Sequence, residues 1–95
     1  MRRRDGGWID APAVASACIV NIGDCLTRWT NEICVSTPHR VVRRGAGERY
    51  SLAFFLDPHP FARVEPIPAC VAAGAASKYA PILAHDYLTE RLRAT

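Results

Sequence analysis

Residues 48–56 alternate between two kinds of side chain, with Arg49, Ser51, Ala53 and Phe55 on one side and Tyr50, Leu52, Phe54 and Leu56 on the other. Strand side chains repeat every second residue, so this stretch reads as a β-strand with one wholly apolar face. Such a face needs a second layer against it, which points to a mainly β architecture. The flanking residues agree: Gly45-Ala46-Gly47 is a turn, and Asp57-Pro58-His59-Pro60 breaks the run. Cys18-Ile19-Val20-Asn21-Ile22 is a second β-rich run, ended by Gly23-Asp24. A short extended piece follows the Asp5-Gly6-Gly7 turn and closes at Pro12, and a further strand is expected from about His39, since Pro38 interrupts the run before it.

Helical signals are fewer. Leu26 and Trp29 are three apart and suit one helical turn over residues 25–31, with Asp24 as its N-cap. Residues 66–81, rich in Ala, Gly and Pro, read as connector, and Tyr87, Leu88, Arg91 and Leu92 give the last segment an amphipathic face. The expected order is therefore strands over about 7–57, a connector over 58–84 and a helix over about 85–93, with no internal repeat and no domain boundary.

Size and composition exclude several classes. A chain of 95 residues is one small domain or a portion of one. At 49% hydrophobic and 22% charged it has the composition of a folding chain, not of a disordered one. No apolar run approaches the roughly 20 residues of a membrane span. The basic start has no apolar stretch after it, so a secretory signal is not expected and a cytoplasmic location is. Cys18, Cys25, Cys34 and Cys70 form no C-x-x-C pair and are expected as free thiols. Arg2 to Arg4 and Arg40, Arg43, Arg44 and Arg49 are basic clusters without a recognition helix or an aromatic platform, and nucleic acid is not an expected partner.

The chemistry concentrates in Thr37-Pro38-His39-Arg40-Val41-Val42 and in Arg49-Tyr50-Ser51. Neutral imidazole is a standard ligand for ferrous iron. A guanidinium meets a carboxylate through two parallel charge-assisted hydrogen bonds. Because Arg49 and Ser51 share a strand face, one carboxylate could take the Arg fork and the Ser hydroxyl together. Bland readings stand beside these: a backbone-bonded histidine for His39, a salt bridge to Glu48 or Asp24 for Arg49, and an exposed, inert role for His59.

The order of these segments resembles the C-terminal part of the isopenicillin-N-synthase-like iron(II) and 2-oxoglutarate-dependent oxygenases. Trp8-Ile9-Asp10-Ala11-Pro12, Val20-Asn21-Ile22-Gly23-Asp24, Arg28-Trp29-Thr30-Asn31, Ser36-Thr37-Pro38-His39-Arg40-Val41, Arg49-Tyr50-Ser51 and Phe54-Phe55 carry it, across residues 5–57. The resemblance implies part of a double-stranded β-helix, or jelly roll, with a short helical turn and a C-terminal helix. It implies that His39 is the distal iron ligand and that Arg49 and Ser51 hold the far carboxylate of 2-oxoglutarate. It also implies oxidative decarboxylation of 2-oxoglutarate coupled to oxidation of a small-molecule substrate. In isopenicillin N synthase the same Arg-x-Ser pair engages the substrate's own carboxylate, so the pair marks a carboxylate site and leaves the carboxylate's identity open.

One family element has no counterpart. The resemblance implies a His-x-Asp motif on an earlier strand, yet His59 and His85 both follow His39, and His85-Asp86 lacks the intervening residue. The 2-His-1-carboxylate triad therefore cannot be completed from these residues. The missing ligands would come from a complementing N-terminal half, either a separate polypeptide or sequence upstream in a longer one; the alternative is a non-catalytic remnant that binds a partner through open strand edges. The purified 95-residue chain is expected to release no succinate from 2-oxoglutarate with Fe(II) and ascorbate. Stoichiometric release that His39→Ala abolishes would contradict this.

Overall fold

The computed structural model describes residues 1–72 and 75–94. Its elements are helix α1 (Asp24–Trp29), strand β1 (Arg63–Val64), a 3-10 turn (Pro68–Cys70), strand β2 (Ile82–Leu83) and helix α2 (Ala84–Arg93). The part of the connector at residues 73–74 lies outside the described residues.

The N-terminal turn forms as the sequence expects. Arg2 and Trp8 make an antiparallel bridge, Arg3 N–H donates to Gly7 O at 2.7 Å, and Ile9 N–H donates to Met1 O at 2.8 Å. Gly6 turns the chain at φ +90°, where a Cβ is disfavoured, and the Asp5 carboxylate accepts the Gly7 N–H at 2.9 Å.

The small sheet lies in the stretch expected to be connector. β1 and β2 pair antiparallel, Arg63 with Leu83 and Val64 with Ile82. The pairing continues into α2: Ala84 N–H donates to Ala62 O and His85 N–H to Pro60 O, both at 2.9 Å. Helix α2 has no side-chain cap, and these two carbonyls satisfy amides that the start of a helix leaves without partners. Val64 is fully buried here, with Ala84 and Pro66 buried beside it.

Helix α1 corrects one expectation. Its cap is Gly23, with no side-chain cap bond, and Asp24 is the first helical residue. The Asp24 carboxylate still favours the positive helix end, and it reaches Arg91 of α2 at 2.9 Å. Asn31 and Glu32 end the helix at φ 51° and 71°, and Glu32 N–H returns to Thr27 O at 2.9 Å.

The runs expected as strands at 18–22, 39–42 and 48–56 form no ladder among the described residues. Among the described residues, no backbone hydrogen bond joins residues 39–58 to another segment. Leu52 is 99% exposed and Tyr50, Phe54 and Leu56 nearly as much. The reason is physical: a strand exists through a neighbour, and the described residues hold no sheet opposite that face. The surface area is 8160 Å², against about 5,400 Å² for a compact protein of this mass. The radius of gyration is 16.3 Å, against about 12 Å for a compact domain of this length. Val64→Ala is expected to cost about 2 kcal/mol, from lost apolar burial and a residual cavity. Hydrogen exchange checks it: α2 amides should accelerate while those of residues 39–57 stay as they were.

Candidate functional site

His39 sits where three segments meet. Thr37 N–H donates to Ile22 O at 3.1 Å, so the end of the 18–22 run lies against the residue two before His39. Arg2 N–H donates to Pro38 O at 2.9 Å, which brings the N-terminal hairpin to the other side. The His39 ring turns back on its own backbone, with Nδ1 2.9 Å from Thr37 O. A carbonyl only accepts, so Nδ1 carries a proton, and in the neutral form of this exposed ring the lone pair is on Nε2. Metal-bound histidines commonly hold their second ring nitrogen in this way.

Beyond His39 the chain follows the hairpin. The Arg40 guanidinium lies 4.4 Å from the Trp8 ring centroid. Arg44 meets both Asp10 carboxylate oxygens, at 3.2 and 3.3 Å.

Arg49 and Ser51 are exposed and make no hydrogen bond or ion pair among the described residues. The two acids that could have neutralised Arg49 are engaged elsewhere: Glu48 accepts the Tyr50 hydroxyl at 2.9 Å, and Asp24 pairs with Arg91. No hydrogen bond joins His39 to Arg49 or Ser51. Nor does any group of three His, Cys, Asp or Glu side chains among the described residues have the disposition of a metal site. His39 thus fits as a single ligand, and the described residues hold no full ligand set. The other histidines are differently used: His59 Nδ1 accepts the Phe61 N–H at 3.1 Å, and His85 Nδ1 faces Asp86 at 3.3 Å.

A second cluster, which the sequence pattern did not single out, ties the C-terminal segment to α1. The Arg28 guanidinium lies 5.1 Å from the Tyr79 ring and 5.3 Å from the Tyr87 ring, and its Nη2 donates to Ala80 O at 2.7 Å. Its buried Nε has no hydrogen-bond partner among the described residues. Glu32 receives Lys78 Nζ and the Tyr79 hydroxyl, both at 2.8 Å, and Asn31 Oδ1 receives the Lys78 N–H at 2.9 Å. Pairings across some fifty residues leave no local pattern in the sequence. The four cysteines are free thiols; burial first, and then the charge of Asp57, pushes the Cys25 thiol up.

With this geometry in view, residues 1–58 match the 2OG-Fe(II) oxygenase superfamily. The chain is 38% identical over 81 residues to a 2-oxoglutarate-Fe(II) type oxidoreductase, hxnY, of Emericella nidulans, across 85% of this chain and 23% of that protein. It is 41% identical over 85 residues to jasmonate-induced oxygenase 4 of Arabidopsis thaliana, across 90% of this chain and 24% of the relative. It is 34% identical over 83 residues to feruloyl CoA ortho-hydroxylase 1 of Arabidopsis thaliana, across 87% and 23%. No solved structure matches. The chain belongs to the 2OG-Fe(II) oxygenase superfamily, whose members use Fe(II) and 2-oxoglutarate and whose fold is a jelly roll. It spans about a quarter of the length of these relatives. No helix among the described residues is long and apolar enough to cross a membrane.

The Glu32 contacts carry a pH dependence. Hydrogen bonds from Lys78, and then from Tyr79, hold the Glu32 carboxyl below its usual range, and the bond to Glu32 is the first cause of the raised Tyr79 hydroxyl. A carboxyl lowered on folding stabilises above its unfolded value, and this stabilisation is lost as pH falls through the folded one. A raised tyrosine stabilises below its ordinary value, and the loss comes as pH rises through the folded one. In Glu32→Gln, Tyr79 is expected to titrate closer to its ordinary value than in the wild type, as followed by phenolate absorbance.

Proposed function

We propose that residues 1–95 form the C-terminal, iron- and cosubstrate-binding portion of an Fe(II)/2-oxoglutarate dioxygenase. In this reading His39 offers Nε2 to the iron, while Arg49 and Ser51 take the far carboxylate of 2-oxoglutarate. The observation that supports it most is the family match across residues 1–58, a stretch containing all three side chains, together with the backbone-bonded Nδ1–H of His39. When bound, iron and 2-oxoglutarate supply the oxidising chemistry for a small-molecule substrate.

The chain's own residues bind and orient. The hydrogen bond to Thr37 O aims the His39 ring and, in the neutral imidazole, places the proton on Nδ1 so that Nε2 carries the lone pair. Arg49 contributes a planar pair of donors that a Lys could not reproduce, and Ser51 a third donor from the same strand face. The apolar face of Tyr50, Leu52, Phe54 and Leu56 is where the rest of the jelly roll would pack, closing the site to water. The remaining histidine and carboxylate come from a complementing half that carries a His-x-Asp motif.

The test is to join the chain to a His-x-Asp-bearing N-terminal half from a relative and to follow succinate formation. Turnover is expected in the joined protein and is expected to vanish in His39→Ala. Arg49→Ala should weaken 2-oxoglutarate binding by about 2 to 5 kcal/mol, as for one partner removed from a buried charge pair. Ser51→Ala should cost about 1 kcal/mol, as for one hydrogen bond. A joined protein that folds without turnover would favour the non-catalytic, partner-binding alternative.

A further inference from the structure

We infer that Trp8 and Arg40 are positioning residues that set the tautomer of His39. The inference rests on the reading of His39 as an iron ligand for its purpose, but its geometry stands apart from any metal. A histidine coordinating through Nε2 must carry its proton on Nδ1 when neutral, and the hydrogen bond to Thr37 O enforces this form. That bond is local, between a ring and a carbonyl two residues back on an exposed segment, and it persists only if the backbone at 37–40 holds one conformation.

The structure supplies that hold from both sides. Before His39, the Thr37 N–H is on Ile22 O and Pro38 O receives the Arg2 N–H. After it, no backbone bond joins residues 39–58 to any other described segment, so the backbone beyond Pro38 is held by side chains alone. The nearest is Arg40, whose guanidinium lies on the Trp8 ring, and the next is Arg44, paired with Asp10. The Arg44 pair is three-quarters exposed on both sides and therefore strongly screened. Trp8 is different: it is paired with Arg2 in the hairpin, and Arg2 is the residue whose N–H holds Pro38. One rigid turn thus grips the chain at the residue before His39 by its backbone and at the residue after it by an indole face. A guanidinium on an indole is the best-matched pair of this kind, planar on planar.

Long-range proton–nitrogen NMR on the metal-free 95-residue chain, at a pH where imidazole is neutral, reads the tautomer of His39 directly. In the wild type the Nδ1–H form is expected to predominate. Trp8→Ala and Arg40→Ala are each expected to lower the ratio of Nδ1–H to Nε2–H several-fold. Trp8→Phe keeps an aromatic face and should restore most of the wild-type ratio, which a role in folding the hairpin through indole bulk would not predict. Hairpin integrity is read in the same samples from the Gly7 and Ile9 amides, and α2 amides report on the distant module. An unchanged tautomer ratio in Trp8→Ala and Arg40→Ala with both reporters intact would overturn the inference. So would loss of the ratio in Trp8→Phe as complete as in Trp8→Ala. The ligand reading fails separately, if His39→Ala in the joined protein leaves Fe(II) affinity unchanged while the tautomer still depends on Trp8.

Discussion

A backbone amide needs a partner, and the distribution of partners decides which parts of this chain are structured. Where residues 60–64 meet residues 82–85, carbonyls and N–H groups face each other, Val64 is sealed and α2 begins on amides already satisfied. Across residues 39–58 no other described segment offers such partners, and the most apolar stretch of the chain faces solvent. The same requirement leaves the stretch expected to form strands open to solvent.

The C-terminal segment is held to α1 largely by charge and aromatic faces. Arg28 stacks on Tyr79 and Tyr87, Asp24 pairs with Arg91, and Glu32 gathers Lys78 and Tyr79. Exposed ion pairs are screened by solvent and individually weak, so docking depends on their number and on Arg28, the least exposed of these charges. Helix α1 also stands between Ile22 and Thr37 in the chain, and these two are hydrogen-bonded across it. The tail and the loop bearing His39 therefore share one small frame.

The two halves of the proposed site differ in how far this chain prepares them. His39 has its ring nitrogen bonded and its flanking backbone gripped by the N-terminal hairpin. Arg49 and Ser51 lie on a segment with no ladder, and their side chains are unpaired among the described residues. With Glu48 and Asp24 both otherwise engaged, the Arg49 guanidinium has no acid partner among the described residues.

Local patterns in the sequence were enough for the Asp5-Gly6-Gly7 turn, the C-terminal helix and the short helix near Trp29, because each depends on residues a few positions apart, whereas His39, Arg49 and Ser51 are not brought together in this structure. Alternation over 48–56 likewise revealed a strand's two faces, but a strand is completed by its neighbour, and alternation says nothing of whether that neighbour is present. The exchange of Asp24 from cap to ion pair needed Arg91, and the sheet within the supposed connector needed residues 63 and 83 to meet. Arg28 between two tyrosines and Arg40 on Trp8 were equally hidden. These contacts join residues tens of positions apart, and only the path of the folded chain brings such groups within the few ångströms over which their interactions act.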